Sequence, residues 1–173
     1  MSYSAFLNMD KDNKDKDQLK KELDTLEIQL FRMQNNIKEI AKHAEVISID
    51  QTKDENWVVI YADRDNKNFQ LMLHSCEKPY RGNWNSAIQA EIKGENTIHI
   101  SDIKGEENKG YGSILMKHLK ERAREKNFQY ITGDIVKRDF DHVDRLAYFY
   151  KKHYFHVTIN HEEQSGEIVW NDE

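Results

Sequence analysis

The sequence predicts a mixed α/β fold of the α+β kind: a mostly antiparallel sheet flanked by helices, preceded by one long helix. Three observations carry this reading. Short apolar-rich runs separated by polar turns recur between residues 46 and 103. A strand, a glycine-bearing loop and a helix then follow one another between residues 96 and 126. Upstream, residues 19–44 carry apolar side chains at alternating spacings of four and three. A chain of 173 residues is one domain plus something smaller.

Composition narrows the function classes. Charged residues make up 33% of the chain and the net charge is −5, so no basic footprint for nucleic acid is present. The single cysteine, Cys76, rules out an intrachain disulfide framework and suits a reducing compartment. No apolar run reaches 18 residues, so no membrane association is expected. No signal peptide is visible, because the first apolar patch, residues 3–7, is short and precedes acidic residues. The expected compartment is the cytoplasm.

Taken in order, residues 1–17 are polar and of mixed charge; they cannot bury enough apolar area to offset ordering entropy and are expected to be a disordered tail. Residues 18–45 form the long helix. Leu19, Leu23, Leu26, Leu30, Met33, Ile37, Ile40 and Ala44 trace a heptad seam, with Ile28 and Phe31 widening the apolar face. Such a helix would be about 42 Å long at about 1.5 Å per residue. Its stripe needs a partner, either a second copy or its own domain. The 3.5-residue spacing favours a coiled-coil homodimer.

Residues 46–173 form the folded domain. Residues 46–50 are a short β-branched run; residues 57–62 and 68–76 read as strands joined by a polar hairpin. Residues 77–86, with Pro79, Gly82, Tyr80, Arg81 and Trp84, read as a loop that either lines a substrate pocket or packs its rings on the sheet. Residues 87–93 and 96–103 form a second hairpin about Gly94 and Glu95, and residues 111–126 an amphipathic helix. A strand over 128–136, a helix over 143–153 and strands at 155–159 and 167–170 complete the chain.

The chemistry is concentrated between Ser101 and Ser113. Gly110 and Gly112 stand where the loop becomes a helix. A helix start leaves four backbone N–H groups without intrahelical partners at the positive end of the dipole. Glycines there keep side chains out of a ligand's way, so the stretch suits a phosphate or diphosphate. A dinucleotide fingerprint fails because Leu115 occupies its third glycine position. A nucleoside-triphosphate loop fails because Tyr111 and Gly112 replace its lysine and hydroxyl residue.

The run Glu107-Asn108-Lys109-Gly110-Tyr111-Gly112 resembles the [QR]-x-x-G-x-[GA] diphosphate loop of the GCN5-related N-acetyltransferases, with Glu107 in place of Gln or Arg. Residues 144–155 resemble that family's later helix: Ala147, Tyr150 and Phe155 match, while Asp144 and Tyr154 replace the usual Asn and Gly. The two motifs lie in the family's order, and the likeness spans roughly residues 87–170. It implies an acyl-CoA N-acyltransferase fold, acetyl-CoA (leaving as CoA) as co-substrate, and transfer of an acetyl group to the amine of a small molecule or peptide.

By the same resemblance, the diphosphate lies on the N–H groups of Asn108, Lys109, Gly110, Tyr111, Gly112 and Ser113. The pantetheine pairs with the strand ending at Ser101–Ile103, and a backbone N–H of Ile103 or Asp102 polarises the thioester. Tyr150 faces the sulfur as proton donor. Asp102 is the favoured general base, with His99 and Asp134 as further options. Unlike the family, the chain has no helical pattern between residues 46 and 103, so the acceptor side is built from the N-terminal helix or from strands and the 77–86 loop. His153, His156 and His161 lack a helical pair spacing, and no metal is expected. The competing reading is a non-catalytic, CoA-binding or scaffold protein on a degenerate form of this fold.

Overall fold

The computed structural model describes residues 15–64 and 69–173. Most of the 1–17 tail, residues 1–14, lies outside the described residues, as does the tip of the first hairpin, residues 65–68.

The elements are α1 (Lys16–Ala41), β1 (Ala44–Gln51), β2 (Trp57–Asp63), β3 (Phe69–Ser75), β4 (Ser86–Lys93), β5 (Thr97–Gly105), α2 (Tyr111–Glu125), β6 (Tyr130–Ile135), a 3₁₀ segment (Lys137–His142), α3 (Val143–Lys152), β7 (His156–Asn160) and β8 (Ser165–Asn171). The strands make one eight-stranded sheet in the order β1-β2-β3-β4-β5-β6-β8-β7. Every neighbouring pair is antiparallel except β5–β6, which is parallel and therefore requires the α2 crossover.

Each face of the sheet has its own core. On one face Ile60, Leu73, Ile88 and Ile98 pack under Leu115, Met116, Leu119 and Ala123 of α2, and α3 adds Val143 and Tyr150. Fully burying a side chain of this size contributes about 1.5–3 kcal/mol. On the other face Val59, Tyr61, Met72 and Ala87 meet Ile40 of α1, with Met33, Ile37 and Trp57 half-buried around them.

Helix α1 is shorter than the 18–45 expected. It starts early because the Asp15 carboxylate caps it, accepting from the Gln18 N–H at 2.9 Å. It ends at Ala41 because Ala44 already pairs with Asp63 in the sheet. Its stripe is used in two ways. From Met33 onward it packs on its own sheet, whereas Leu19, Leu23, Leu26 and Leu30 are exposed, as are Ile28 and Phe31.

The same helix fixes the β3–β4 loop. Buried Asn36 donates to the Lys78 carbonyl at 3.1 Å and accepts the Tyr80 N–H at 2.8 Å, and Arg32 donates to the Glu77 carbonyl at 2.6 Å. Asn36 thus satisfies backbone groups that would be costly to bury unpaired. Tyr80 and Trp84 join the α1-side core, so the rings of this loop pack inward on the sheet.

At the end of α3, Tyr154 adopts φ +65°. The Tyr154 N–H donates to Lys151 and the Phe155 N–H to Tyr150, each at 3.0 Å, closing a Schellman turn. Gly is the residue this geometry favours, and the Tyr154 ring is 85% exposed. Tyr154→Gly should therefore stabilise the fold by about 0.5–1 kcal/mol, after allowing for the entropy glycine loses on folding. Thermal unfolding is the check: the midpoint should rise by about 1–4 °C.

Candidate active site

Between β5 and β6 the sheet comes apart. Thr97–Ile100 pair with Tyr130–Gly133, and beyond that rung β5 continues to Gly105 without pairing to β6. A bulge marks the parting: Gln89 is opposite Asp102 and Ala90 opposite Ile100, so Ser101 is the extra residue. The bulge reverses the alternation. It sets Ile103 opposite Ile88 on the α2 face and turns Asp102 to the α1 face. The free edge of β5 thus presents unpaired backbone groups beside the gap.

The loop after β5 ends in α2 with Gly110 at the N-cap position, in the left-handed conformation (φ +77°) and with no side chain to cap the helix. The first turn of α2 contains no acidic residue. A Cβ on Gly110 would project into open space, and one on Gly112 would meet only the edge of Phe149 at 3.5 Å. Internal packing demands neither glycine, though the left-handed φ of Gly110 favours one; together they leave free the approach to the helix mouth.

A cleft of about 350 Å³ opens there. Ile103, Asn108, Gly110, Tyr111, Gly112 and Ser113 line it, six of the residues read from sequence. The other four lie elsewhere. Ser101 is exposed on the bulge and Lys109 is exposed on the loop. Asp102 faces the opposite side, paired with Lys104 at 3.3 Å. Tyr150 is only 6% exposed, packed edge-on against Phe149 and Phe155 just beneath the lining. Burial, reinforced by the charges of Asp139 and Asp102, pushes its hydroxyl well above the usual phenol range, so it stays protonated at neutral pH.

Sequence reading missed the opposite bank and floor. His142, Arg145, Leu146 and Phe149 come from the 3₁₀ segment and α3, and Ser86, Lys104, Gly105, Glu106 and Glu107 complete the lining. Only Glu107 carried a local signal, as the substituted position of the loop motif. The floor is held by Ser86 donating to the Lys104 carbonyl at 2.9 Å and by Asn85 donating to Glu106 at 2.9 Å.

Behind the mouth, the His153 ring nitrogen lies 3.0 Å from the Ser113 hydroxyl. Burial, with the charges of Lys120 and Lys152, lowers its pKa from 6.5 to about 4. A depressed folded pKa means the unfolded chain takes up this proton first as pH falls. Stability should therefore be full above about pH 6.5 and decline towards pH 4. In His153→Gln that decline should be shallower; urea unfolding at pH 7 and pH 4.5 measures the difference.

On the α1 face of the parting, the His99 Nδ1 is 2.8 Å from the Thr132 hydroxyl and its Nε2 is 3.3 Å from Asp134. Asp102 shares this face with them. Among the described residues, no group of His, Cys, Asp or Glu is arranged to hold a metal ion, and no helix is long and apolar enough to cross a membrane.

A mostly antiparallel sheet parted beside a glycine loop at a helix mouth is the layout that the resemblance to the GCN5-related N-acetyltransferases implies. The chain belongs to the same family as the uncharacterized protein YocC of Bacillus subtilis (strain 168), with 46% identity over 159 residues, 92% of this chain and 96% of that protein. No protein-family model matches the chain. Partial likenesses to solved structures include a GNAT family acetyltransferase from Elizabethkingia anophelis with acetyl-CoA bound (TM-score 0.48, 16% identity, 61% of this chain and 77% of that one). Another is a putative streptothricin acetyltransferase from Bacillus anthracis in complex with acetyl coenzyme A (TM-score 0.47, 15% identity, 76% and 84%).

Proposed function

We propose that the protein is an acetyl-CoA-dependent N-acetyltransferase acting on the amine of a small molecule or peptide. The observation that carries this is the parting of β5 from β6 directly beside the glycine-lined mouth of α2. The bound donor supplies an acetyl thioester, with a thiolate as leaving group.

The N–H groups of Asn108–Ser113 hold the diphosphate, and the free edge of β5 from Ser101 to Ile103 pairs with the pantetheine arm. The N–H of Ile103 or Asp102 donates to the thioester oxygen as negative charge grows on it, an effect that is often the largest single contribution to such reactions. Tyr150, kept protonated by burial, donates to the departing sulfur.

The acceptor enters from the α1 face. Asp102, turned there by the bulge, takes the ammonium proton, with the His99–Asp134 pair as the alternative base. Helix α1 lies over that side of the sheet, where the family's acceptor helices are absent. Donor and acceptor thus approach the gap from opposite sides.

The enzyme works in the reducing cytoplasm as a homodimer through α1. The surface for the second copy is the exposed seam of Leu19, Leu23, Leu26 and Leu30, about two heptads. The test of the activity is thiol release from acetyl-CoA against a panel of polyamines, aminoglycosides and peptides. Amine-dependent turnover, reduced in Tyr150→Phe, supports the reading. Donor binding with no transfer to any amine favours a scaffold role, which Glu107 in the loop also fits.

A further inference from the structure

Glu107 puts a carboxylate beside a site built for a diphosphate, where the loop motif calls for Gln or Arg. The bank facing it explains how the site accommodates this. Arg145, in the first turn of α3, lies across the mouth with its Nη2 3.6 Å from the Glu107 Oε1. Both residues line the cleft. Their side chains are 66% and 70% exposed, so the pair joins the two banks from the solvent side. The adjacent carboxylate, Glu106, is engaged differently, accepting from the Asn85 side chain at 2.9 Å. Of the two, Glu107 is therefore the one that competes for a cation at the mouth.

An ion pair this exposed is weak, because solvent and salt screen it. A diphosphate brings more negative charge than one carboxylate, and a guanidinium can grip it with two parallel hydrogen bonds. We propose that Arg145 is the side-chain cation for the donor's diphosphate and that Glu107 is its exchange partner, holding the arginine across the mouth until the diphosphate displaces it. The cation that the loop motif normally carries has moved to the opposite bank, and a carboxylate has taken its place in the loop. Two consequences follow. Glu107 tempers donor affinity, and Arg145 makes binding depend on the diphosphate itself rather than on the pantetheine arm. This inference rests on the coenzyme A reading above.

Calorimetry on the full chain tests it, with coenzyme A and pantetheine, which lacks the diphosphate, as probes. The proteins are the wild type, Glu107→Gln, Arg145→Gln and the double variant. Both side chains are exposed, so the variants should keep their folds, which melting curves will verify. Coenzyme A should bind Glu107→Gln about two- to five-fold more tightly than wild type, matching the modest strength of the pair it releases. Arg145→Gln should weaken binding by about ten-fold, as expected for a lost charge-assisted contact, and should flatten its salt dependence. In the Arg145→Gln background, Glu107→Gln should give a smaller gain, because no arginine remains to be released. Pantetheine affinity should not change in any variant. Undiminished coenzyme A binding in Arg145→Gln, or an equal Glu107→Gln gain with and without Arg145, overturns the exchange while leaving the acetyltransferase reading intact. Absence of coenzyme A binding in all four proteins overturns both.

Discussion

Gly112→Glu will bind coenzyme A at least about 100-fold more weakly than wild type while folding at least as stably. A 100-fold loss corresponds to about 2.7 kcal/mol of binding free energy. The two readouts separate if the glycine serves the ligand, as proposed, rather than the fold. A Cβ at this position meets only the edge of Phe149, at an ordinary contact distance of 3.5 Å. Glycine is a poor helix former, and a carboxylate in a first helical turn is favoured by the dipole, so the substitution should add about 0.5–1 kcal/mol of stability. The same carboxylate would stand at the helix mouth, on the cleft lining, where the diphosphate is to lie. Unfolding curves and calorimetric titrations on one preparation give both results. A destabilised Gly112→Glu that retained affinity would reverse the assignment, making the glycine structural.

Gly105→Ala should have the largest effect on stability, about 3–4 kcal/mol lost from a total that is about 5–15 kcal/mol for a domain. Here packing does demand the glycine. Its φ is +145°, and a Cβ would sit 2.5 Å from both the Asn85 carbonyl oxygen and the Ser86 Cα. Those are backbone atoms at the start of β4, so a side-chain rotation cannot relieve the clash. Gly105 pairs with Ser86 at the last rung of β4–β5 and also lines the cleft. Moving the strands apart there would break the Glu106 N–H to Asn85 hydrogen bond of 3.1 Å and disturb the cleft floor. Chemical denaturation should show a lower midpoint, and coenzyme A affinity should fall with it. A wild-type midpoint would mean that β4 and β5 yield more easily than their register suggests.

Much of this architecture was written in local patterns. The strands were legible as short apolar-rich or alternating runs between polar turns, and α2 because Leu115, Leu119 and Ala123 recur at helical spacing. The glycine mouth was legible because Gly110 and Gly112 sit at a strand–loop–helix junction, which constrains backbone chemistry directly. What stayed hidden depends on long-range geometry. The bulge at Ser101 leaves no composition signal, yet it decides which side of the sheet Asp102 and Ile103 each face. The 3₁₀ segment Lys137–His142 is polar and short, and no element was expected between the strand over 128–136 and the helix over 143–153.

The long helix is the clearest case. Its 4-3 spacing continues unbroken from Leu19 to Ile40, but a stripe does not name what covers it. The sheet takes Ile40, Ile37 and Met33, and the remainder of the stripe stays exposed. Arg145 was invisible for a related reason: it lies 38 residues beyond Glu107, on a helix brought alongside only by the crossover and the return of α3.

The central claim is that backbone N–H groups at the mouth of α2 hold the donor's diphosphate. Titrating coenzyme A into the ¹⁵N-labelled full chain and following the amide resonances tests this at the atoms concerned. Saturable shifts should be largest at Gly110, Tyr111, Gly112 and Ser113, with a second set along Ser101–Ile103 from the pantetheine arm. Shifts confined to other parts of the sheet, or none at millimolar coenzyme A, would contradict it.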